Sequence, residues 1–345
     1  MKYLLIICGL LTFLFVGCNE NCDTITSPVD DRIVFETNFL QYSDNNYFID
    51  QIYTDTSSGF NIYNLYYGSQ TPTISKKYYV KNIEVYISIN QISQTYTSII
   101  AHAYLNLPPR SPSVMYPDSL RNNNNVIIIG QEELGRFRLL NEGRDYLFHP
   151  ETGYITFLFP ILSQDRIAVA YRIENEGLTD SDDLIYGEFI SELVNNSKAK
   201  AVLKLVKPAN LFPAMKDAWN LKMKNIYQIN PDIEQIKDLD LDIFLKRSDG
   251  SETDKINNIG LLELFGFDRV NKEGIPGSDG KFDDIPGINY DPRTGQIIFP
   301  VIQPFGNNIP ALLRDYKYQA IYDTLKSYLT MPGNSFIIRG EYKPE

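Results

Sequence analysis

Two stretches of this chain repeat one another. Residues 148–160 read FHPETGYITFLFP and residues 290–300 read YDPRTGQIIFP. His149-Pro150 matches Asp291-Pro292, and Thr152-Gly153 matches Thr294-Gly295. Pro150 and Pro292 preset the backbone angle at the second position of a type I turn. Gly153 and Gly295 supply the left-handed residue that closes a longer hairpin loop with a bulge. The runs that follow, Tyr154-Ile155-Thr156-Phe157 and Gln296-Ile297-Ile298-Phe299, suit pleated strands. A chain carrying both is committed to antiparallel β-structure in two places, and nothing in either turn needs catalysis to explain it.

The echo extends outward. Upstream of the first turn, KNIEVYISI alternates Ile83, Val85 and Ile87 with Asn82, Glu84 and Tyr86. Upstream of the second, DLDLDIFLK alternates Leu239, Leu241 and Ile243 with Asp238, Asp240 and Asp242. Both have the period of half-buried strands. Downstream come Gly187-Glu188-Phe189 and Gly340-Glu341-Tyr342. The order strand, hairpin, Gly-Glu-aromatic thus occurs twice at unequal spacing, as in a diverged duplication. The fold expected is mainly β: two tandem β-sandwich-like modules with a few short helices, the first over 33–187 and the second over 188–345.

Other segments agree. RIAVAYR (166–172) reads as a short buried strand, and the aromatic and β-branched run 47–68 suits β-structure. WNLKMKNIYQI places Trp219, Leu221, Met223, Tyr227 and Ile229 on one side and Lys222 and Lys224 on the other; alternation fits it better than a helix. Helices are expected at GLLELFGF and over 316–329, where Tyr318, Ile321, Tyr322, Leu325 and Tyr328 have helical spacing. Residues 108–125, with LPPRSPS and RNNNN, read as a long exposed loop.

The amino terminus has a different logic. MKYLLIICGLLTFLFVGC follows Lys2 with an apolar run too short for a comfortable span, the pattern of a secretory signal. It ends Phe15-Val16-Gly17-Cys18, which resembles the bacterial lipoprotein box and makes Cys18 the expected lipidation site. Residues 1–18 are then a lipoprotein signal peptide and 19–32 an acidic, polar tether. Cys8 leaves with the signal and Cys18 takes lipid. Cys22 is left without an internal disulfide partner. The anchor itself is physically sufficient, since each buried methylene contributes about 0.8 kcal/mol.

Charge and composition narrow the function. The chain has 345 residues and a formal charge of −11, without an Arg/Lys stripe, which argues against nucleic-acid binding. Only two His occur, so few groups titrate near neutral pH. Asp238, Asp240 and Asp242 share one strand face about 7 Å apart, better suited to a solvated face than to a metal. The acidic, Gly-rich segment from Asp268 to Asp284 has some features of a calcium loop. However, Arg269 occupies the first ligand position of the EF-hand spacing, and a plain turn is the expectation. His102 has no Cys or second His nearby, and His149 is replaced by Asp291 in the twin hairpin. Both read as structural. GxSxG, HExxH, P-loop, CxxC-pair and Rossmann signatures are absent from the sequence. No catalytic, cofactor-binding or metal residue is assigned, and no cofactor is expected.

The ordered motifs together resemble the soluble repeat segments of the SprA family, very large outer-membrane translocon proteins of type IX secretion and gliding motility in Bacteroidota. The matching segments run in order: VKNIEVYIS, IIAHAYLNL, EGRDYLFHPETGYITFLFPILSQDRIAVAYRI, GEF, LKLVKP and WNLKMKNIYQI. They continue with LLELFGFDRVN, DGKFDDIPGINYDP, GQIIFPVIQPFG, IYDTLK and GEYK, covering roughly 79–343. The family's namesake is several times longer and carries a giant barrel. No run of amphipathic membrane strands follows Gly340-Glu341-Tyr342 here. The resemblance therefore implies a soluble module on a lipid anchor, not a pore. Its partner would be a translocon component or secreted cargo. The acidic residues after Cys18 resemble surface-export signals of Bacteroidota lipoproteins, which favours the cell-surface side of the outer membrane. Two other readings stand beside this one. A surface glycan- or polymer-binding lipoprotein would use the 24 Tyr as stacking faces, and an enzyme would need convergent polar groups in a pocket.

Overall fold

The computed structural model describes residues 32–55, 61–91, 95–122, 127–175, 179–195, 200–229 and 236–344. The expected signal peptide and lipidation site Cys18, with Cys22 and the expected tether up to residue 31, lie outside them. The described chain is mainly β, with short helices between strands.

The two hairpins recur in three dimensions, each within a three-stranded sheet of the same order. In the first copy, strand Tyr154–Phe157 lies between Tyr146–His149 and Asn46–Phe48; in the second, Gln296–Ile298 lies between Tyr290–Asp291 and Ile226–Gln228. Both turns share one closing bond: Thr152 N–H donates to the His149 carbonyl and Thr294 N–H to that of Asp291, each at 3.3 Å, and in the first copy Gly153 N–H also donates to His149 at 2.8 Å. The Gly153 and Gly295 carbonyls accept from Ile49 and Ile229, each at 2.9 Å. The Pro150 and Pro292 carbonyls accept from Val80 and Ile236, at 3.1 and 3.0 Å. Those last bonds deliver the chain into the two long strands, Val80–Ser88 and Ile236–Lys246. Each of these carries a register shift near its start and then pairs antiparallel with a later strand.

The partners of the long strands differ from the sequence expectation. Val80–Ser88 pairs with Ile167–Ile173, and Ile236–Lys246 with Ser335–Pro344. Gly340-Glu341-Tyr342 is therefore the counterpart of part of Ile167–Ile173, not of Gly187-Glu188-Phe189. Burial agrees: Glu188 is fully buried against Arg121, whereas Glu341 is exposed at its tip and meets Arg32 at 3.0 Å. The shared Gly-Glu-aromatic triplet is a coincidence of composition.

Around Val80–Ser88 the sheet closes. Its order runs Ala201–Lys207, Ser98–Tyr104, Glu132–Leu139, Val80–Ser88, Ile167–Ile173 and Leu184–Tyr186, and Ala201–Lys207 also pairs with Ile167–Ile173. Five strands thus form a ring, which removes their free edges. Closure explains why Val80–Ser88 is not half-buried as its alternation suggests. Tyr86 lies inside the protein, its hydroxyl donating to Glu84 at 2.5 Å. It also explains a charge in the core. Lys204, buried in the closing strand, meets Asp50 at 2.8 Å, and Tyr171 donates to the same carboxylate oxygen at 2.6 Å. A buried ion pair of this kind is tolerated only because both groups are hydrogen-bonded, and removing one partner costs about 3–5 kcal/mol.

In the second copy the long strands stay open. Ile33–Asn38, Ser335–Pro344, Ile236–Lys246 and Glu252–Thr253 make a four-stranded sheet, with one face on an aromatic core of Phe39, Phe265, Phe299, Phe305 and Phe336. Most of these rings meet edge to face, the arrangement their quadrupoles favour. Alternation in Ile236–Lys246 is as expected. Leu239, Leu241 and Ile243 point inward and Asp238, Asp240 and Asp242 outward, with Asp238 at φ +50° on the bulge.

Strand partnerships correct the boundary expected between 187 and 188. Ala201–Lys207 completes the first copy's ring, and Ile33–Asn38 completes the second copy's sheet. Each copy borrows a strand from sequence assigned to the other.

Three local expectations also change. Among the described residues, the run 47–68 holds one short strand, the 3₁₀ turn Gln51–Tyr53 and then helix Ile62–Tyr67, capped by the Asn61 side chain on Asn64 N–H. Residues 316–329 are broken into helix Ala320–Asp323 and the 3₁₀ turn Lys326–Tyr328, after the 3₁₀ turn Ala311–Tyr316, while helix Leu261–Phe265 forms as expected and ends on Gly266. In WNLKMKNIYQI, a helical turn Lys216–Trp219 precedes the extended Ile226–Gln228.

Candidate functional site

The four turn residues singled out from sequence, Pro150, Gly153, Pro292 and Gly295, sit where the hairpins need them, with Gly153 at φ +62° and Gly295 at φ +61°. The fold also brings the two hairpin turns near one another. His149 stacks on Tyr154 with ring centres 3.9 Å apart. Burial pushes the imidazole down to about 4, with Asp291 and Arg293 of the twin hairpin acting on it in opposite senses. Asp291 is held by its own turn: Arg293 donates from Nη2 at 2.7 Å and from its backbone N–H at 2.9 Å. Tyr67 and Tyr154 bridge the space through their hydroxyls at 2.9 Å. This is a structural seam without an open nucleophile.

Other polar candidates are spent in the same way. In the 268–284 segment, Asp268 accepts from Asp279 and Gly280 N–H, Asp283 from Arg269 and Val270 N–H, and Asn271 from Glu273 and Ile275 N–H. Their oxygens hold the loop shape that a cation would otherwise organise. Among the described residues no cluster of three His, Cys, Asp or Glu is placed to hold a metal. Tyr104 donates to the Leu120 carbonyl at 2.7 Å, leaving its oxygen to accept from His102 Nδ1 at 2.9 Å. Burial lowers the affinity of His102 for a second proton, against the pull of Glu132 at 3.4 Å.

The 108–122 part of the expected exposed loop is pinned down instead. Arg121 makes a two-pronged contact with Glu188 and also donates to the Tyr116 and Lys200 carbonyls. Arg110 meets Glu192 at 2.5 Å and the Gly187 carbonyl at 3.1 Å. Both guanidiniums are buried. The planar fork of Arg suits such carboxylate and carbonyl partners.

One concavity combines opening, charge and apolar wall. A cleft of about 280 Å³ is lined by Asp44, Tyr47, Ile161, Leu162, Ser163, Lys207, Leu211, Trp219, Lys222, Leu325, Lys326 and Ser327. Five separate segments build it. Lys222 follows the turn after Lys216–Trp219, and Lys326 opens the 3₁₀ turn Lys326–Tyr328. Lys222 and Lys326 grip the two oxygens of Asp44 at 2.6 and 3.1 Å, and Lys326 also donates to the Tyr42 carbonyl at 2.5 Å. The Tyr42 ring lies beneath both ammoniums, 5.9 and 4.5 Å from its centre. Burial pushes the Asp44 carboxyl up, but the two lysines outweigh it and hold it below the usual carboxylate range.

Two more lysines stand behind this pair. Lys207 is caged by the Ser163, Asp165 and Pro208 carbonyls, and burial lowers it to about 8. Lys224 lies over the Trp219 ring at 4.2 Å; burial, and next the charge of Lys222, lower it to about 7. Trp219 is fixed by donating Nε1–H to the Tyr322 carbonyl at 2.5 Å. In a chain of net charge −11, three lining lysines against one aspartate make a local reversal of sign. Sequence reading placed Lys222 and Lys224 on a polar face and missed the cleft. The only available signal was a pair of lysines beside the single Trp.

No protein-family model matches the chain, and no curated protein matches it.

Proposed function

We propose that this chain is a non-enzymatic outer-membrane lipoprotein, an SprA-like accessory or structural component of type IX protein secretion or gliding motility, acting through protein–protein contacts. It is anchored through Cys18 and faces the cell surface. The single observation that carries the reading is the ordered motif series. Its hairpins and long strands are scaffold residues whose backbone requirements would be shared by any chain built on the same repeat. The lipoprotein box and acidic tether add the anchor. The spending of buried carboxylates and guanidiniums on loops and on one another fits a module that presents a rigid surface.

The glycan reading loses its compositional support. Tyr42, Tyr47, Tyr53, Tyr63, Tyr67, Tyr86, Tyr154, Tyr171, Tyr227, Tyr290 and Tyr342 are fully buried and Tyr104, Tyr116, Tyr146, Tyr186 and Tyr322 nearly so, so 16 of the 24 tyrosines are core.

The test is deletion of the gene, followed by assay of type IX secretion and surface protein display. The expected outcome is a defect restored by the intact gene but not by a Cys18→Ala version. A pull-down from membranes through a tagged carboxyl terminus should recover an outer-membrane barrel. Unchanged secretion and display, with polysaccharide alone recovered, would sink the proposal.

A further inference from the structure

The cleft around Trp219 contains a clue to its own ligand. Asp44 is a carboxylate of the chain itself, held between Lys222 and Lys326, whose ammoniums lie over the Tyr42 ring, and its side chain is 44% exposed. It shows what the clamp accepts: a two-oxygen anion shared by two ammoniums. Asp44 is one of the residues lining the cleft, and the cleft's volume of about 280 Å³ is unfilled by protein. That volume lies near the lower end of the range for small-molecule pockets, about 300 Å³. Its walls are Ile161, Leu211, Trp219 and Leu325, which offer nothing to a second charge but bury an apolar body. The other two lysines are already occupied. Lys207 gives its protons to three carbonyls and Lys224 lies on the Trp219 face, so they supply positive field without direct contacts.

We propose that this cleft binds a small organic acid. Its carboxylate takes the place of Asp44 between Lys222 and Lys326, and its apolar body lies along Trp219, Leu211, Leu325 and Ile161. Asp44 is then a tethered competitor. It keeps the two ammoniums paired when the cleft is empty and swings toward solvent when an external carboxylate enters. The arrangement selects against neutral isosteres, which cannot replace the Asp44 carboxylate between the two ammoniums without leaving those charges unpaired. It selects against compact inorganic anions, which gain nothing from the apolar wall. It also implies that removing the competitor strengthens binding, the reverse of what removal of a direct ligand contact would do.

The experiment is titration calorimetry on the full chain with 3-phenylpropanoate, 3-phenylpropanamide and inorganic phosphate. The acid is expected to bind and the amide and phosphate to bind at least tenfold more weakly. Asp44→Asn should tighten the acid at least fivefold and leave the amide unchanged. Lys326→Met placed in the Asp44→Asn chain should abolish that gain, and Lys326→Arg should restore most of it. Lys326 is partly exposed, so the chain folds with Met there; thermal melts confirm this for each variant. Equal binding of acid and amide would overturn the proposal, as would phosphate competing as well as the acid, or weaker acid binding by Asp44→Asn.

Discussion

At the scale of single residues, the twin hairpins show how one site can hold different side chains for different reasons. Asp291 keeps its turn by accepting from Arg293, a local bond any Asx turn can make. His149 instead lies flat on Tyr154, with Nε2 3.3 Å from Thr156 Oγ1. Its cost appears in acid. The imidazole is lowered by burial from its ordinary value near 6.5 to about 4 in the folded chain. Between these values the unfolded chain binds a proton that the folded chain refuses, so stability falls as pH drops from about 6.5 toward 4 and is level above that window. The side chain is partly exposed, so the loss is on the order of 1–3 kcal/mol. Denaturant melts at pH 7 and pH 4.5 should therefore show a smaller loss in His149→Gln than in the unaltered chain. An identical loss in both would place the acid sensitivity elsewhere.

At the scale of elements, the hairpins are set by steric need. Gly153 has φ +62°, and a Cβ built there would come within 2.3 Å of the Tyr53 ring. Tyr53 is fully buried and donates to the Tyr78 carbonyl at 2.8 Å, so it cannot move aside freely. Gly153→Ala therefore combines left-handed strain with overpacking and should destabilise the chain by about 2–5 kcal/mol. Gly143 has a similar φ of +77° but nothing within 4 Å of its Cβ direction. Gly143→Ala should lose only the strain, about 1–2 kcal/mol. Equal losses in urea melts would show that the Tyr53 contact is not limiting. The contrast also marks what sequence can reveal. Pro150, Gly153, Pro292 and Gly295 were legible because a turn's needs are local, and the alternation of Leu239, Leu241 and Ile243 was legible because one face is wet. Tyr86 was not, because ring closure by Ala201–Lys207 buries a face that its own strand marks as polar. The helix expected over 316–329 failed because its spaced aromatics are claimed separately. Tyr322 accepts from Trp219 through its carbonyl, while Tyr318 donates to the Thr330 carbonyl at 2.7 Å. Arg110, Arg121 and the lysine cleft were invisible because each depends on partners from distant segments.

At the scale of the whole molecule, the two copies are joined by exchange. The first copy's ring is closed by residues 201–207, and the second copy's sheet begins with residues 33–38. Helix Ile62–Tyr67 adds a cross-tie: the Tyr63 hydroxyl donates to the Phe299 carbonyl at 3.0 Å and accepts from Asn225 at 2.8 Å, both in the second copy. A tandem duplication of independent domains would divide cleanly at a linker; this one does not. Cutting between 187 and 188 would remove the closing strand from the ring, leaving two open edges and stranding Asp50 without Lys204. It would also take Ile33–Asn38 away from Ser335–Pro344, exposing that strand's edge from Ile337 to Tyr342. Fragments 33–187 and 188–345 expressed separately should each lack a cooperative thermal transition and associate nonspecifically in size-exclusion chromatography. Mixed during refolding, they should recover a single transition, because every missing strand is then present. If either fragment alone melts cooperatively as a monomer, the exchanged strands are accessory and the two copies are separable domains after all.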